Sequence, residues 1–513
     1  MNNTFKMLLG AGFAAAVAFY ANSIIGQVSH GGFLVLAAVF GAYMAMNIGA
    51  NDVANNVGPA VGSGALTIGG AIIIASIFEA SGALIAGGDV VGTIKKGIID
   101  PSAFGNDPMV FVYAMSAALL AAALWLNLAT WLKAPVSTTH SIVGGVLGGG
   151  IAAGGFAIVS WGTMGKIAAS WVISPVLGGV IAAIFLYIIK SQIIYKEDMR
   201  SAAKKVVPIL VAVMVAAFIT YLTVKGLKKV WPAIVDTLTF LPETKKPTFL
   251  VALIFGAIGG VITYGVVKLR IAKKVINLGE NRADINFLFT IPLIFAAVLL
   301  SFAHGANDVA NAVGPLAAVY DALTTSSVAT KAAIPLWVMI VGGVGISVGL
   351  ALFGPRLIRT VGSEITELDQ MRAFSIMMAA AITVVIASQL GLPVSSTHIA
   401  VGAIFGVGFL REWLDSKMMS EKQEKLQMEV AKQHALKEEL AQLKTEEDYK
   451  RQVELIVAVK TQKKKVKSIK SALRENYVKR GMVKKIVTAW VITVPAAAIL
   501  SAIIFFVLKG LSV

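Results

Sequence analysis

Apolar runs long enough to cross a bilayer alternate with short polar joints along almost the whole chain. A membrane helix needs about 20 apolar residues, so the pattern predicts an all-α polytopic membrane protein of about 12–13 transmembrane helices. The runs centre near Ala15, Phe40, Ile77, Ala121, Gly149, Gly178, Ala216, Gly256, Ala296, Gly343, Ala381, Phe405 and Ala498. One stretch, 411–485, has a different pattern. There Glu, Lys and Gln alternate with Leu, Met and Val at helical spacing, as in Leu436, Leu440 and Leu443. Thr445 with Glu446, Glu447 and Asp448 resembles a capping box that starts a second helix. A charged helical hairpin in the cytoplasm is the expectation. Its second arm carries eleven basic residues between Lys460 and Lys485 against the single acid Glu475. Such an arm suits a solvated face or the anionic lipid of a membrane surface.

Composition agrees with the pattern. The chain is 57% hydrophobic and 14% charged, with a mean hydropathy of +0.78, outside the range of soluble domains. The net charge of +17 would suggest nucleic acid in a soluble protein. In a membrane protein it reflects basic cytoplasmic loops, so nucleic acid is set aside. The absence of cysteine excludes disulfides, thiolate metal sites and cysteine nucleophiles. The first apolar run, Lys6–Ile25, lacks a convincing small-residue cleavage site, which favours a retained helix over a signal peptide.

The polar joints repeat. Gly-Ala-Asn-Asp-Val-Ala-Asn occurs at Gly49–Asn55 and at Gly305–Asn311, and both copies continue into Val-Gly-Pro. Ten of eleven positions match at a spacing of 256 residues. Pro135-Val136-Ser137-Thr138-Thr139-His140 returns 258 residues later as Pro393-Val394-Ser395-Ser396-Thr397-His398. Trp171-Val172-Ile173 returns as Trp490-Val491-Ile492, now 319 residues on, and the charged stretch accounts for the jump. The expected division is an extra helix over 1–32, a first repeat over 33–189 and linking membrane helices over 190–286. The first part of a second repeat follows over 287–410, then the hairpin over 411–485 and a last helix over 486–513. With the hairpin inside, alternation puts the basic loops Lys190–Lys205 and Lys268–Arg282 inside, though it leaves Lys225–Lys246 outside with five lysines. The N-terminus then falls inside, the C-terminus outside, and the two repeats run in opposite orientation with discontinuous helices, as in many secondary transporters.

Charge inside a membrane costs about 2.5–3.5 kcal/mol at a helix centre, so a duplicated aspartate marks a site. Asn51, Asp52 and Asn55, with Asn307, Asp308 and Asn311, present carboxylate and amide oxygens, the ligands of hard cations. Glycines and prolines around them interrupt the helix and free backbone carbonyls for the same purpose. The hydroxyl motifs read as helix starts inside the membrane. Ser and Thr there, with free N–H groups, form an oxyanion site. Six hydroxyls, from Ser137, Thr138, Thr139, Ser395, Ser396 and Thr397, would surround one anion at a pseudo-twofold axis. Bare aspartates would repel that anion, so a cation between them couples the two ions. Glu79 is a further intramembrane carboxylate without a counterpart: a cation ligand, proton carrier or gate. His304 stands four residues before Asp308, where the first copy has Ile48. His140 and His398 could titrate or simply cap their helices, and the structural reading is favoured.

Together these motifs resemble the inorganic phosphate transporter (PiT) family, over about Phe33 to Phe506. The resemblance implies an inverted-repeat membrane fold and cotransport of inorganic phosphate with a cation across the cell (inner) membrane. It places phosphate at the six hydroxyls with Asn55 and Asn311. Cation binding and coupling fall to Asn51, Asp52, Asn307, Asp308, Glu79 and His304, with sodium at Asp52 and Asp308. The continuation Val57–Gly64 is similar to the sodium-coupled branch, and the insert falls where other members carry cytoplasmic insertions. No cofactor is expected, and the transported ions are phosphate and sodium. The partners are those ions and membrane lipid, with a homodimer expected from the general habit of transporters. Proton-coupled phosphate or metal-phosphate symport is the first rival reading, kept open by Glu79 and His304. Sulfate is the second, since hydroxyls and N–H groups do not separate tetrahedral oxyanions. An intramembrane hydrolase lacks support: neither His-Glu-x-x-His nor Gly-x-Ser-x-Gly is present. A channel suits broken helices less well than alternating access does.

Overall fold

The computed structural model describes residues 3–24, 26, 30–104, 107–132, 134, 136–228, 230–276, 278–279, 281–325, 334–364, 368–442, 449–473 and 480–511. Among these the chain is helical, with one isolated bridge between Ile99 and Val159. Helices α1 (Asn3–Ile24), α2 (Gly31–Asn51) and α3 (Val53–Gly62) come first. They are followed by α4 (Ile68–Ala86), α5 (Gly88–Lys96), α6 (Pro108–Trp131), α7 (Thr138–Gly154) and α8 (Trp161–Ile189). Next are α9 (Met199–Gly226), α10 (Trp231–Thr237), α11 (Phe249–Val275), α12 (Arg282–Phe287), α13 (Thr290–Asp308) and α14 (Ala310–Thr325). The last are α15 (Leu336–Glu364), α16 (Gln370–Gln389), α17 (Ser396–Gln442), α18 (Tyr449–Leu473) and α19 (Arg480–Gly510).

Helix starts follow local chemistry. Thr67, Asp107, Asp198, Thr248, Asn281 and Asp369 each accept a hydrogen bond from a backbone N–H of the helix they precede. Eleven helical stretches among the described residues are long and apolar enough to cross a membrane, and the chain is a multi-pass membrane protein. Of the thirteen expected segments, the two outside this set are those near Gly149 and Phe405. These belong to α7 and α17, the helices that begin at the hydroxyl motifs.

The break in the Asn-Asp helices is narrower than the glycines and prolines suggest. It is one residue wide, at Asp52 between α2 and α3 and at Val309 between α13 and α14. Pro59 and Pro315 lie inside helices. Lacking an N–H, they cannot donate to the carbonyls of Asn55 and Asn311 four residues earlier. The freed carbonyls therefore belong to the motif's own asparagines.

Two compact units are present: Met1–Val407 with Arg480–Val513, and Gly408–Lys479. Within the second, Arg451 pairs with Glu439 at 2.8 Å and Lys465 with Glu429 at 3.0 Å, joining two helices into a hairpin. Leu443 and the expected capping box at Thr445–Asp448 lie outside the described residues, as does Glu475.

In a bilayer helices associate through close packing, which favours small residues at the contact. Two crossings in the first unit use the same device. Where α4 meets α13, a β-carbon at Gly305 would collide with the Glu79 carbonyl, and one at Gly82 with that of Phe302. Where α15 meets α2, Gly49 faces the Ile346 carbonyl and Gly349 that of Met46 in the same way. The crossings correspond residue for residue: Phe302 and Gly305 stand 256 residues after Met46 and Gly49. This backbone match sets Glu79 opposite Ile346 in the repeat. Gly305→Leu and Gly49→Leu are therefore expected to destabilise the fold by about 1–3 kcal/mol or more. Gly12→Leu, which meets nothing within 4 Å, serves as the control. Detergent size-exclusion and thermal unfolding check this, and equal stability of all three variants would contradict it.

Candidate functional site

Four helix ends converge. α2–α3 and α13–α14 bring the aspartates, while α7 and α17 bring their first-turn hydroxyls. Asp52, Asp308, Glu79, His304, Thr138 and Thr397 are all fully buried. Thr138 Oγ1 lies 2.6 Å from Asp52 Oδ2 and 3.4 Å from Asp308 Oδ2, so one hydroxyl is within reach of both carboxylates. Thr397 Oγ1 donates to Asp52 Oδ1 at 3.1 Å, and Ser396 Oγ to Asp308 Oδ2 at 3.5 Å.

The repeats exchange partners. Asn55 Nδ2 donates to Thr397 Oγ1 of the second repeat at 2.9 Å. Asn311 Nδ2 donates to Thr139 Oγ1 and Thr138 Oγ1 of the first, at 3.2 and 3.3 Å. Thr139 Oγ1 itself donates across to Val394 O at 2.9 Å. Each amide oxygen, Asn55 Oδ1 and Asn311 Oδ1, is buried with no hydrogen-bond partner among the described residues, as is Asp308 Oδ1. Buried acceptors without donors are costly, and a hard cation is what they can hold. One oxygen from each of Asp52 and Asp308 and one His304 nitrogen lie within 4.8 Å of one another.

His304 separates the two halves chemically. Its Nδ1 is 2.6 Å from Glu79 Oε2 and its Nε2 is 2.7 Å from Asp308 Oδ2. Only the Nδ1 contact has hydrogen-bond geometry; Nε2 lies close to Asp308 without a hydrogen bond among the described residues. Asn56 Nδ2 donates to the other Glu79 oxygen at 2.8 Å. Asn56 is absent from the expected site residues, yet the sequence marks it. It is the one mismatch in the eleven-residue repeat, facing Ala312 in the second copy. Asn56, Glu79 and His304 thus form one polar branch whose equivalents, Ala312, Ile346 and Ile48, are all apolar.

Four expected ligands have other work in this conformation. Asn51 meets the Thr130 hydroxyl at 2.9 Å, and its amide nitrogen faces Val136 O at 3.2 Å and Asp52 Oδ1 at 3.3 Å. Asn307 donates to Ser388 Oγ at 2.9 Å and Leu392 O at 3.2 Å. Both asparagines brace the loop before a hydroxyl motif. The hydroxyls of Ser137 and Ser395 accept from the amides of His140 and His398, at 3.1 and 3.2 Å, and so cap α7 and α17. Of the six expected hydroxyls, those of Thr138, Thr139, Ser396 and Thr397 take part in the contacts among the asparagines, aspartates and the Val394 loop. The imidazoles of His140 and His398, expected to cap their helices, pack instead on Trp171 and Trp490 and on each other. The Trp-Val-Ile echo is the signal for this packing, legible in the chain only as a repeat marker.

Residues 48–501 match the phosphate transporter family. The chain is 49% identical over 527 aligned positions to a putative phosphate permease of Helicobacter pylori, covering 99% of this chain and 95% of that one. A putative phosphate permease of Chlamydia trachomatis is 40% identical over 74% of this chain and 90% of its own. Among solved structures, a sodium-dependent phosphate transporter superposes with a TM-score of 0.74 at 32% identity, over 93% of this chain and 99% of that one.

Ser137→Ala and Ser395→Ala are expected to cost about 0.5–2 kcal/mol each in stability, the worth of a helix cap. Asn56→Ala withdraws a buried partner from Glu79 and is expected to cost about 1–3 kcal/mol. Thermal unfolding in detergent measures both, and an unchanged midpoint in either case would refute that assignment.

Proposed function

The chain belongs to the phosphate transporter family, and from that premise we propose that it couples inorganic phosphate to sodium by alternating access. It is a multi-pass transporter, not an enzyme. Phosphate binds between the two helix starts, at Thr138, Thr139, Ser396 and Thr397 with the amides of Asn55 and Asn311. Sodium binds at Asp52 and Asp308. The observation that carries this reading is the set of buried acceptors without donors: Asn55 Oδ1, Asn311 Oδ1 and Asp308 Oδ1. The carbonyls freed by Pro59 and Pro315 belong to the same asparagines and add two oxygens.

Competition for hydroxyl protons explains the coupling. A Ser or Thr hydroxyl has one O–H to give. Thr138, Ser396 and Thr397 give theirs to the carboxylates. An arriving oxyanion needs the same donors, and taking them strands buried negative charge on Asp52 and Asp308. A bound cation compensates that charge and releases the hydroxyls, so each ion raises the other's affinity. The exchange of partners between repeats is what opposite orientation about a pseudo-twofold axis would produce, and we take the repeats to be inverted. A solved relative that is a sodium-dependent phosphate transporter supports sodium as the coupling ion.

A second reading, proton coupling, rests on one observation. His304 stands between two carboxylates, hydrogen-bonded to Glu79 through Nδ1 and with Nε2 2.7 Å from Asp308 Oδ2. Phosphate uptake into proteoliposomes, with sodium and proton gradients imposed separately, decides between the two. Uptake driven by sodium alone is expected. Uptake driven by a proton gradient without sodium would overturn the sodium reading. Asp52→Asn and Asp308→Asn are each expected to weaken sodium-dependent uptake by about 5–150-fold, the range of a coupling energy. Wild-type cation dependence in both would refute the coupling. Excess sulfate in the same assay tests the anion; phosphate is expected to win, since sulfate brings no proton for a buried acceptor.

A further inference from the structure

Four aromatic rings form a continuous array beside the site. The ring centroids of Trp171 and His140 are 3.8 Å apart, those of His140 and His398 4.3 Å, and those of His398 and Trp490 3.6 Å. The His pair meets edge to face at 85°, and His398 stacks on Trp490 at 27°. Each His ends a hydroxyl motif, and each Trp opens the Trp-Val-Ile echo of the same repeat. The array is therefore symmetric, and its centre is where one repeat touches the other. His140 is 4% exposed and His398 1%.

The array is joined to the hydroxyls by the shortest covalent path available. The His140 amide donates to the Ser137 cap, and Thr138 and Thr139 stand between them in the chain. His398 is tied to Ser395 in the same way, with Ser396 and Thr397 between. A change in ring-to-ring spacing that is taken up by the backbone therefore moves one hydroxyl set relative to the other. Further along, each helix lies on a partner from the opposite repeat. Gly144 and Gly148 of α7 sit against the carbonyls of Val494 and Ala498 in α19. Gly402 and Gly406 of α17 sit against those of Pro175 and Gly179 in α8. With their shafts held this way, the two helix starts meet at the ring end, where the Thr139–Val394 hydrogen bond also crosses between the repeats. Aromatic faces and edges pack at defined separations, which suits a spacer.

We propose that the Trp171–His140–His398–Trp490 array is the spacer that sets the gap between the two oxyanion-binding helix starts, with His140 and His398 as positioning residues. This rests on the phosphate site argued above. The spacer acts through ring bulk rather than through the imidazole nitrogens. Removing a ring lets one hydroxyl set shift, which weakens anion binding while leaving the cation ligands in place.

The test is sodium-driven phosphate uptake in proteoliposomes by His140→Ala, His398→Ala, His140→Phe and His398→Phe, with wild type alongside. The alanine variants are expected to raise the phosphate KM about tenfold with maximal rate within about twofold, the signature of lost ground-state binding. The phenylalanine variants, which keep a ring, are expected to restore KM to within about threefold of wild type. Alanine variants with wild-type KM would overturn the spacer, and so would phenylalanine variants as impaired as alanine. Should an alanine variant fail to fold by detergent size-exclusion, Trp171→Leu and Trp490→Leu replace it, each expected to raise KM and overturning the proposal if it does not. Wild-type liposomes that take up no phosphate would refute the function reading; normal wild-type uptake with unmoved variants refutes the array alone.

Discussion

A single buried hydroxyl, Thr138 Oγ1, sits within reach of two buried carboxylates, Asp52 and Asp308. Two like charges so placed, out of water, would repel strongly without compensation, and the low dielectric around them magnifies the penalty. Everything nearby answers that demand. Hydroxyls from two helix starts donate to the carboxylates, His304 lies against one of them, and acceptor oxygens surround the remaining space. Because the donors are few and shared, the coupling proposed above follows from that shortage and needs no separate device.

The two repeats carry nearly the same polar peptide and the same helix crossing, yet their aspartates stand in different surroundings. Beside Asp308 lie His304 and, behind it, Glu79 with Asn56. The corresponding positions in the other half hold Ile48, Ile346 and Ala312. Backbone packing tolerates this because the contact is made by glycines and carbonyls, which are common to both crossings. Side chains at the same crossing are then free to differ. The result is one site with a polar branch on one side and an apolar wall on the other, so its two carboxylates are electrostatically unequal.

Much of the molecule is legible in sequence for reasons of local physics. A bilayer permits only self-satisfied backbone, so apolar runs read directly as helices. Caps such as Asp107 and Thr248 act within three residues, so they too are local. Duplicated charge in apolar surroundings is enough to single out Asp52 and Asp308 along the chain. The width of the helix break is less legible: glycines and prolines advertise interruption, but burial and packing keep Pro59 and Pro315 inside helices. Ser137 and Ser395 read as anion ligands because their motif is rich in hydroxyls; that their oxygens also accept the cap bonds of α7 and α17 is set by the geometry of a first helical turn.

Membrane-spanning class, duplicated motifs, the location of the insert and family membership are all written in the order of residues, because each resides in periodicity or in short words along the chain. Partnership is a matter of three dimensions: Asn55 with Thr397, Asn311 with Thr139, His304 with Glu79, and His140 with His398. These residues stand far apart in the chain, and no local pattern links them. Their meeting is set by which helix faces pack closely enough to bring backbone against backbone. That is a property of the whole assembly of helices and of no single segment.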